Sequence, residues 1–303
     1  MKLSKKSAYR RTAILVTAAV LLLLLLITAL DARLLVRRYT VETDGVTAPV
    51  RLALVTDLHS CDYGENQSDL IDAIDAQNPD VLLLGGDIFD DVIDNTKTEQ
   101  FLSGIADRYP CFYVTGNHEY WGGGTRFAQQ MELLAQYGVT VMENDTRTVT
   151  VRGQTLLLGG IDDPEAYCVQ ADPDDHNAYI AARSAADGVF SAHLAALSET
   201  ASGAGFSVLL SHRPEYFERY AETDFDLVLC GHAHGGQWRI PFLLNGVYAP
   251  HQGVLPQYAG GRYDENGTTM IVSRGLARET TWVPRIFNRP ELVIVDIVPK
   301  SNT

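Results

Sequence analysis

The chain has 303 residues and carries 38 acidic against 24 basic side chains, a formal net charge of −14. Residues 1–39 take eight of the basic residues and, among the acids, only Asp31, so the remainder holds 16 basic against 37 acidic residues and a net charge near −21. So acidic a domain repels polyanions, which argues against nucleic acid as a partner and lets phosphate bind only where cations invert the field inside a cleft.

The first predicted element follows a basic segment, residues 1–12. Residues 13–30, AILVTAAVLLLLLLITAL, contain no charge, proline or glycine. At ~1.5 Å per helical residue that run is close to the minimum for a ~30 Å hydrocarbon core. A buried helix of a soluble domain would show a polar face. A secretory signal has a shorter apolar core, ~7–15 residues, and a small-residue cleavage site, for which Ala29-Leu30-Asp31-Ala32 is poor. An uncleaved, single-pass transmembrane anchor is therefore expected. Lys2, Lys5, Lys6, Arg10 and Arg11 precede it, and Arg33, Arg37 and Arg38 follow it. The bias places the N-terminus in the cytoplasm and the rest of the chain outside, an extracytoplasmic domain. The Arg10-Arg11 pair is also compatible with a twin-arginine export signal. Residues 31–49 read as a linker.

From residue 50 a grammar repeats: a short apolar run, a small-plus-polar cluster, then a helical stretch. The runs are VRLALVTDLHS, VLLLGGDIFD, CFYVTGNHEYW, TLLLGGIDDP, FSVLLSHRPE and LVLCGHAHGG. Runs of four to seven residues rich in Val and Leu fit central strands buried on both faces. Helices are predicted over Ser68–Gln77, Thr96–Arg108, Arg126–Tyr137 and His176–Leu197. From Trp238 to Pro299 the pattern shifts to strand-like pieces, TTMIVSRG and ELVIVDIV. The alternation predicts an α/β fold of two packed sheets covered by helices, one domain over 50–299. There is no internal repeat. Four cysteines in this length make no disulfide scaffold, and Cys111 and Cys230 fall in or beside apolar runs, as buried thiols do.

Ligands of α/β folds gather at the carboxyl ends of strands. The clusters there collect Asp57, His59, Asp87, Asn117, His118, His212, His232 and His234. Five of the eight histidines are among them; His176, His193 and His251 are not. Each cluster alone has an ordinary explanation: a turn, a capped helix, a core histidine. Together they point to a metal centre, because carboxylates and neutral imidazoles suit zinc, manganese or iron, and a carboxylate can bridge two ions. His232 and His234 lie two residues apart and can address two points in one cleft, with Gly231, Ala233, Gly235 and Gly236 leaving room for close approach.

The string Asp57-x-His59, Gly86-Asp87, Gly116-Asn117-His118-Glu119, His212 and Gly231-His232-Ala233-His234 resembles the signature of the calcineurin-like metallophosphoesterases, with every motif in the family's order over about residues 50 to 299. The fuller forms TGNHEYW, LSHRPE and GHAHGGQWRIP resemble its membrane-associated, YkuE-like branch. The resemblance implies a four-layer α/β/β/α sandwich. It implies two divalent metal ions (Mn, Zn or Fe), the first held by Asp57, His59 and His234, the second by Asn117, His212 and His232, with Asp87 bridging. His118 is implied to face the substrate phosphate off the metals. Glu119 stands where many relatives have Asp. The implied reaction is hydrolysis of a phosphomonoester, phosphodiester or pyrophosphate through in-line attack by a metal-bridging hydroxide. An anchor beside the site suggests a lipid-linked envelope substrate, the acidic domain a small one, and a monomer is expected. Tyr120, Trp121, Arg126, Arg274 and Arg285 are candidates for the substrate approach, with structural roles equally open. No Gly-x-Ser-x-Gly elbow is present, and Gly122 stands where a His-Glu-x-x-His motif would need its second histidine. The remaining alternative is a membrane-tethered, metal-stabilised binding or scaffold domain without turnover.

Overall fold

The computed structural model describes residues 2–168, 176–278 and 283–301. Residues 169–175 and 279–282 of the expected domain lie outside that description. Fourteen strands are described: β1 (Leu35–Thr43), β2 (Val50–Val55), β3 (Val81–Gly85), β4 (Cys111–Val114), β5 (Thr140–Val141), β6 (Asp145–Val151), β7 (Gln154–Gly160), β8 (Ser207–Leu210), β9 (Leu227–Cys230), β10 (Tyr248–Ala249), β11 (Gly253–Val254), β12 (Gly261–Glu265), β13 (Thr268–Val272) and β14 (Glu291–Pro299). The helices are α1 (Lys2–Ala29), α2 (Ser68–Asp75), α3 (Thr96–Ile105), α4 (Asn117–Trp121), α5 (Gly124–Gln136), α6 (His176–Ala201) and α7 (Phe217–Tyr220). One six-stranded sheet runs β1-β14-β2-β3-β4-β5 and the other β12-β13-β9-β8-β7-β6.

The apolar runs behave as strands buried on both faces, because successive side chains point to opposite sides. Leu52 and Leu54 of β2 join Leu83, Val208, Leu210 and Leu229 between the two sheets. Their neighbours Ala53 and Val55 face outward, against Leu70 and Ile74 of α2, Phe101 of α3 and Leu134 of α5. On the far side, Leu209 and Val228 pack under Phe190 and Leu194 of α6 and Phe217 of α7. Three apolar layers between four layers of secondary structure make the α/β/β/α sandwich.

The segment expected as a linker contains β1. Its residues, LVRRYTVET, pair in parallel with β14 in the register Leu35↔Glu291 to Thr43↔Pro299. The partner is supplied from the far end of the chain, so nothing near residue 35 in sequence reveals it. All four cysteines are buried, and none is in a disulfide among the described residues.

Strand direction fixes where the polar clusters meet. β2, β3 and β4 are mutually parallel, as are β7, β8, β9 and β13, so their carboxyl ends share one edge of the sandwich. β14 is antiparallel to β2, with Val293 opposite Leu54, so β14 and its parallel partner β1 both begin at that same edge. There α1 ends: Phe287 N donates to Ala29 O at 2.7 Å, and Arg289 donates to Arg33 O and Leu34 O. Within α1, Tyr9–Ala29 is long and apolar enough to cross a membrane, a test that a signal sequence also meets.

Candidate metal centre

The eight residues singled out from sequence meet at this edge. Asp57, His59, Asp87 and His234 offer ligand atoms all within 4.8 Å of one another, and Asp87, His212 and His232 form a second such group. Asp87 belongs to both. Its Oδ2 lies 3.1 Å from His212 Nε2 and 3.6 Å from His59 Nε2. Its Oδ1 accepts from the backbone N–H of His118 at 2.9 Å, which holds the carboxylate in place.

The local backbone is strained there. Asp57, His59, Asp87, His232 and His234 all have φ between 46° and 66°, a region that non-glycine residues visit at a cost of ~1–3 kcal/mol each and that clusters at functional sites. The cross-links that hold it join distant segments: Asp57 N donates to Gly86 O, His59 N to Asp87 O, and His232 N to both oxygens of Asp57 at 3.0 and 3.2 Å. Two glycines permit the approach. A Cβ on Gly116 would lie 2.2 Å from Asp87 Oδ1, and one on Gly231 2.6 Å from Asp57 Oδ2.

The buried donor atoms fit divalent ions. Asp87 Oδ2, His59 Nε2 and Asn117 Oδ1 are all buried without a hydrogen-bond partner, an arrangement that ordinarily costs ~1–3 kcal/mol per atom. The field of the site also calls for positive charge. Burial opposes a charge on His212, yet Asp87 outweighs it and pushes the imidazole up to about 10. His234, by contrast, is driven by burial down to about 3, the neutral form a ligand needs.

The other ring nitrogens are tied to orienting groups, as ligand imidazoles commonly are. His59 Nδ1 meets Asp90 Oδ2 at 3.1 Å, and His212 Nδ1 meets Gly85 O at 2.8 Å. His118 is partly exposed, lies edge-on to His59 with ring centroids 4.4 Å apart, and meets Asp91 Oδ1 through Nδ1 at 2.6 Å. Trp121 packs against its other side, at 4.7 Å.

Several contributors had no role assigned from sequence, although Glu119 was noted within its motif. Glu119 is fully buried and accepts from the backbone N–H groups of Asp87, Ile88, Phe89 and Gly116. It thereby binds the loop after β3 to the start of α4, and burial with repulsion from Asp87 pushes it up to about 7. Arg213, beside His212 in sequence, is fully buried and forked onto Asp163. His251, in the turn between β10 and β11, reaches His232 Nε2 at 2.8 Å. Glu215, His232 and His251 form a further ligand-like group, but Arg213 Nη1 already occupies it, 3.5, 3.2 and 2.5 Å from the three. Of the candidates for the substrate approach, only Trp121 abuts the cleft through a free face. Arg126 donates to Asp90 O and Ile93 O, Arg285 to Ala277 O and Arg274 O, and Arg274 faces Glu291; Tyr120 is largely buried and donates to Thr115.

Six chain segments thus converge on two buried, histidine-rich groups that share the Asp87 carboxylate at the carboxyl ends of a two-sheet sandwich, a donor set that suits a metal-dependent hydrolase. The chain belongs to the calcineurin-like phosphoesterase family, whose profile matches residues 50–236. The family uses divalent metals. Among relatives, Phosphodiesterase YaeI of Escherichia coli is 27% identical over 83% of each chain. Metallophosphoesterase YkuE of Bacillus subtilis is 28% identical over 80% of this chain and 77% of its own. A metallophosphoesterase of Campylobacter jejuni is 29% identical over 88% of this chain, which spans 64% of that relative's length. The solved NAD nucleotidase of Haemophilus influenzae shares the fold, with a TM-score of 0.50 and 14% identity over 76% of this chain and 51% of its own.

Proposed function

We propose that the chain is a two-metal phosphoester hydrolase held at a membrane surface. The observation that carries this reading is the buried Asp87 carboxylate common to both ligand-like groups, with Oδ2 lying 3.6 Å from His59 Nε2 and 3.1 Å from His212 Nε2. Asp57, His59 and His234 would hold one ion and Asn117, His212 and His232 the other, with Asp87 shared. The donor set suits Mn, Zn or Fe. When bound, such ions polarise phosphoryl oxygens and lower the pKa of water. The chain's own residues do the rest. Asp57 and Glu119 fix the loops through backbone hydrogen bonds, and Asp91 fixes the ring of His118. His118 Nε2 then binds a phosphoryl oxygen and delivers the proton that the departing oxygen needs. Similarity to a named phosphodiesterase favours a diester over a monoester or pyrophosphate.

On this reading residues 13–30 span the bilayer uncleaved, residues 1–12 stay in the cytoplasm, and the unit over 50–299 works outside as a monomer, completed by β1 from the segment 31–49. The substrate is a small or lipid-linked phosphoester of the envelope. The test is turnover of bis(p-nitrophenyl) phosphate and p-nitrophenyl phosphate with added manganese. Turnover should vanish with chelator and fall on the order of 10³-fold in Asp87→Asn, the equivalent of ~4 kcal/mol of transition-state stabilisation. Full activity in both conditions would sink the proposal.

A further inference from the structure

Beyond Leu30, the large apolar side chains left exposed among the described residues are concentrated at one place. All but Val189 lie in segments that follow the strand ends at the metal edge: Val92 after β3, Trp121 at the end of α4, and the rest between Trp238 and Leu255, a stretch that includes the short β10 and β11. Val92 and Trp121 flank the cleft on one side. On the other, the excursion that leaves His234 carries Phe242 fully exposed, Leu243 84% exposed, and Ile240, Val254 and Leu255 at half or more. A patch of this kind on a chain of otherwise ordinary surface marks an interaction site. Phe242 and Leu255 even adopt φ of 68° and 57°, a conformation unfavourable for bulky side chains.

Three observations identify what covers the patch. The loop is joined to the anchor: Trp238 pairs with Ile286, Arg239 N donates to Ile286 O, and the next residue, Phe287, donates to Ala29 O. The residue after that, Asn288, donates to the carbonyl of His234 at 2.7 Å. The end of α1, the apolar loop and a candidate metal ligand are therefore consecutive neighbours. The charge is also right. From Leu227 to Tyr263 the sequence of this strongly acidic domain contains no Asp or Glu, and at the same rim two cations, Arg33 and Arg289, share the one carboxylate of Asp31, which leaves that pairing net positive.

We infer that the excursion 238–255 is a membrane-contacting surface that seats Phe242 and Leu243 in the acyl-headgroup boundary of an anionic bilayer, with the metal cleft opening onto the lipid surface. Apolar side chains inserted beside basic ones are the general chemistry of interfacial attachment. The arrangement rests on the anchored phosphoesterase proposed above and specifies its substrate class: a phosphoester presented at the headgroup level of a lipid.

The experiment uses the full chain in nanodiscs of phosphatidylglycerol and phosphatidylcholine. Its four native thiols are buried, so Phe242→Cys takes a polarity-sensitive fluorophore selectively. Glu265→Cys, exposed at the hairpin between β12 and β13 on the opposite end of the sheet, is the reference. The fluorophore at 242 should shift to the blue and be quenched by lipids brominated along the acyl chain, while that at 265 stays in water. Equal, water-like signals at both positions overturn the inference, and so does quenching that is the same at both. In a second arm, replacing Phe242 and Leu243 together by Asp should cut turnover of a lipid-borne phosphodiester about tenfold or more and leave bis(p-nitrophenyl) phosphate turnover unchanged. An equal loss on both substrates counts against the inference. If the unaltered chain hydrolyses neither substrate, the phosphoesterase proposal fails, while the quenching result decides the membrane contact independently.

Discussion

Behind His59, in one half of the proposed metal centre, stands a carboxylate; behind His232, in the other, stands a guanidinium. His59 Nδ1 rests on Asp90, and although burial opposes its charge, Asp90, Asp87 and Asp57 together raise its basicity. His232 Nε2 is 3.2 Å from Arg213 Nη1, and burial followed by that positive charge holds its pKa well below the ordinary value. A carboxylate partner makes an imidazole a stronger donor to a metal, and a cation makes it a weaker one. On the two-metal reading proposed above, the same ligand type would give a tighter half-site at His59 and a looser one at His232, separated by what lies one layer further out.

The largest expected effect comes from removing the cation behind the looser half. Arg213 is forked onto Asp163, and both are buried. Arg213→Met leaves that carboxylate uncompensated in the interior, for which the expected loss is about 3–5 kcal/mol of stability. Urea unfolding of the metal-free protein measures it. Replacing Asp163 by Leu in the same chain should recover most of the loss; a double variant no more stable than the single one would show that the pair is not the source.

The next effect reaches the tighter half. Asp90→Asn keeps the shape but withdraws the negative charge from His59 Nδ1, and outer partners of this kind typically account for about 10–100-fold in metal affinity. In a calorimetric titration with manganese, the tighter binding step should weaken by that factor and the looser step by less than about twofold. Equal weakening of both steps would erase the proposed asymmetry.

How far this was readable in the sequence depends on distance along the chain. The proposed ligands follow strands directly, so an apolar run and a polar residue two to four positions later announce each of them. Asp90 and Asp91 carried the same signal, three and four residues after Asp87, without a motif to attach it to. Glu119 was visible as a neighbour of His118, but that its carboxylate would bind four backbone N–H groups depends on how the loop after β3 folds over α4. Arg213 is a charged residue in a short loop, a pattern that reads as solvent-exposed until Asp163, fifty positions away, is brought beside it. His251 has no local signal at all, since it sits in the three-residue turn of a hairpin whose two-residue strands pair only Tyr248 with Val254 and Ala249 with Gly253. Likewise β1 has no partner within reach of any local pattern.

The smallest effect separates burial from charge in the first comparison. Arg219 grips Asp187 with the same fork as Arg213 on Asp163, at 2.8 and 2.9 Å, but both side chains are about two-fifths exposed. There water screens the attraction, and such pairs contribute about 0.2–1 kcal/mol. Hydrogen bonds from Arg219 hold the Asp187 carboxyl below its ordinary 3.8. A depressed folded pKa means that the contribution is present above about pH 4 and disappears as pH falls through the folded value. Arg219→Met should therefore lower stability by less than about 1 kcal/mol at pH 7, by less still at high salt, and by nothing measurable once Asp187 is protonated. Urea midpoints at neutral and acid pH test this. If the exposed pair proved as costly to break as the buried one, the guanidinium of Arg213 would owe its effect to position in the fold rather than to the dry surroundings it shares with Asp163.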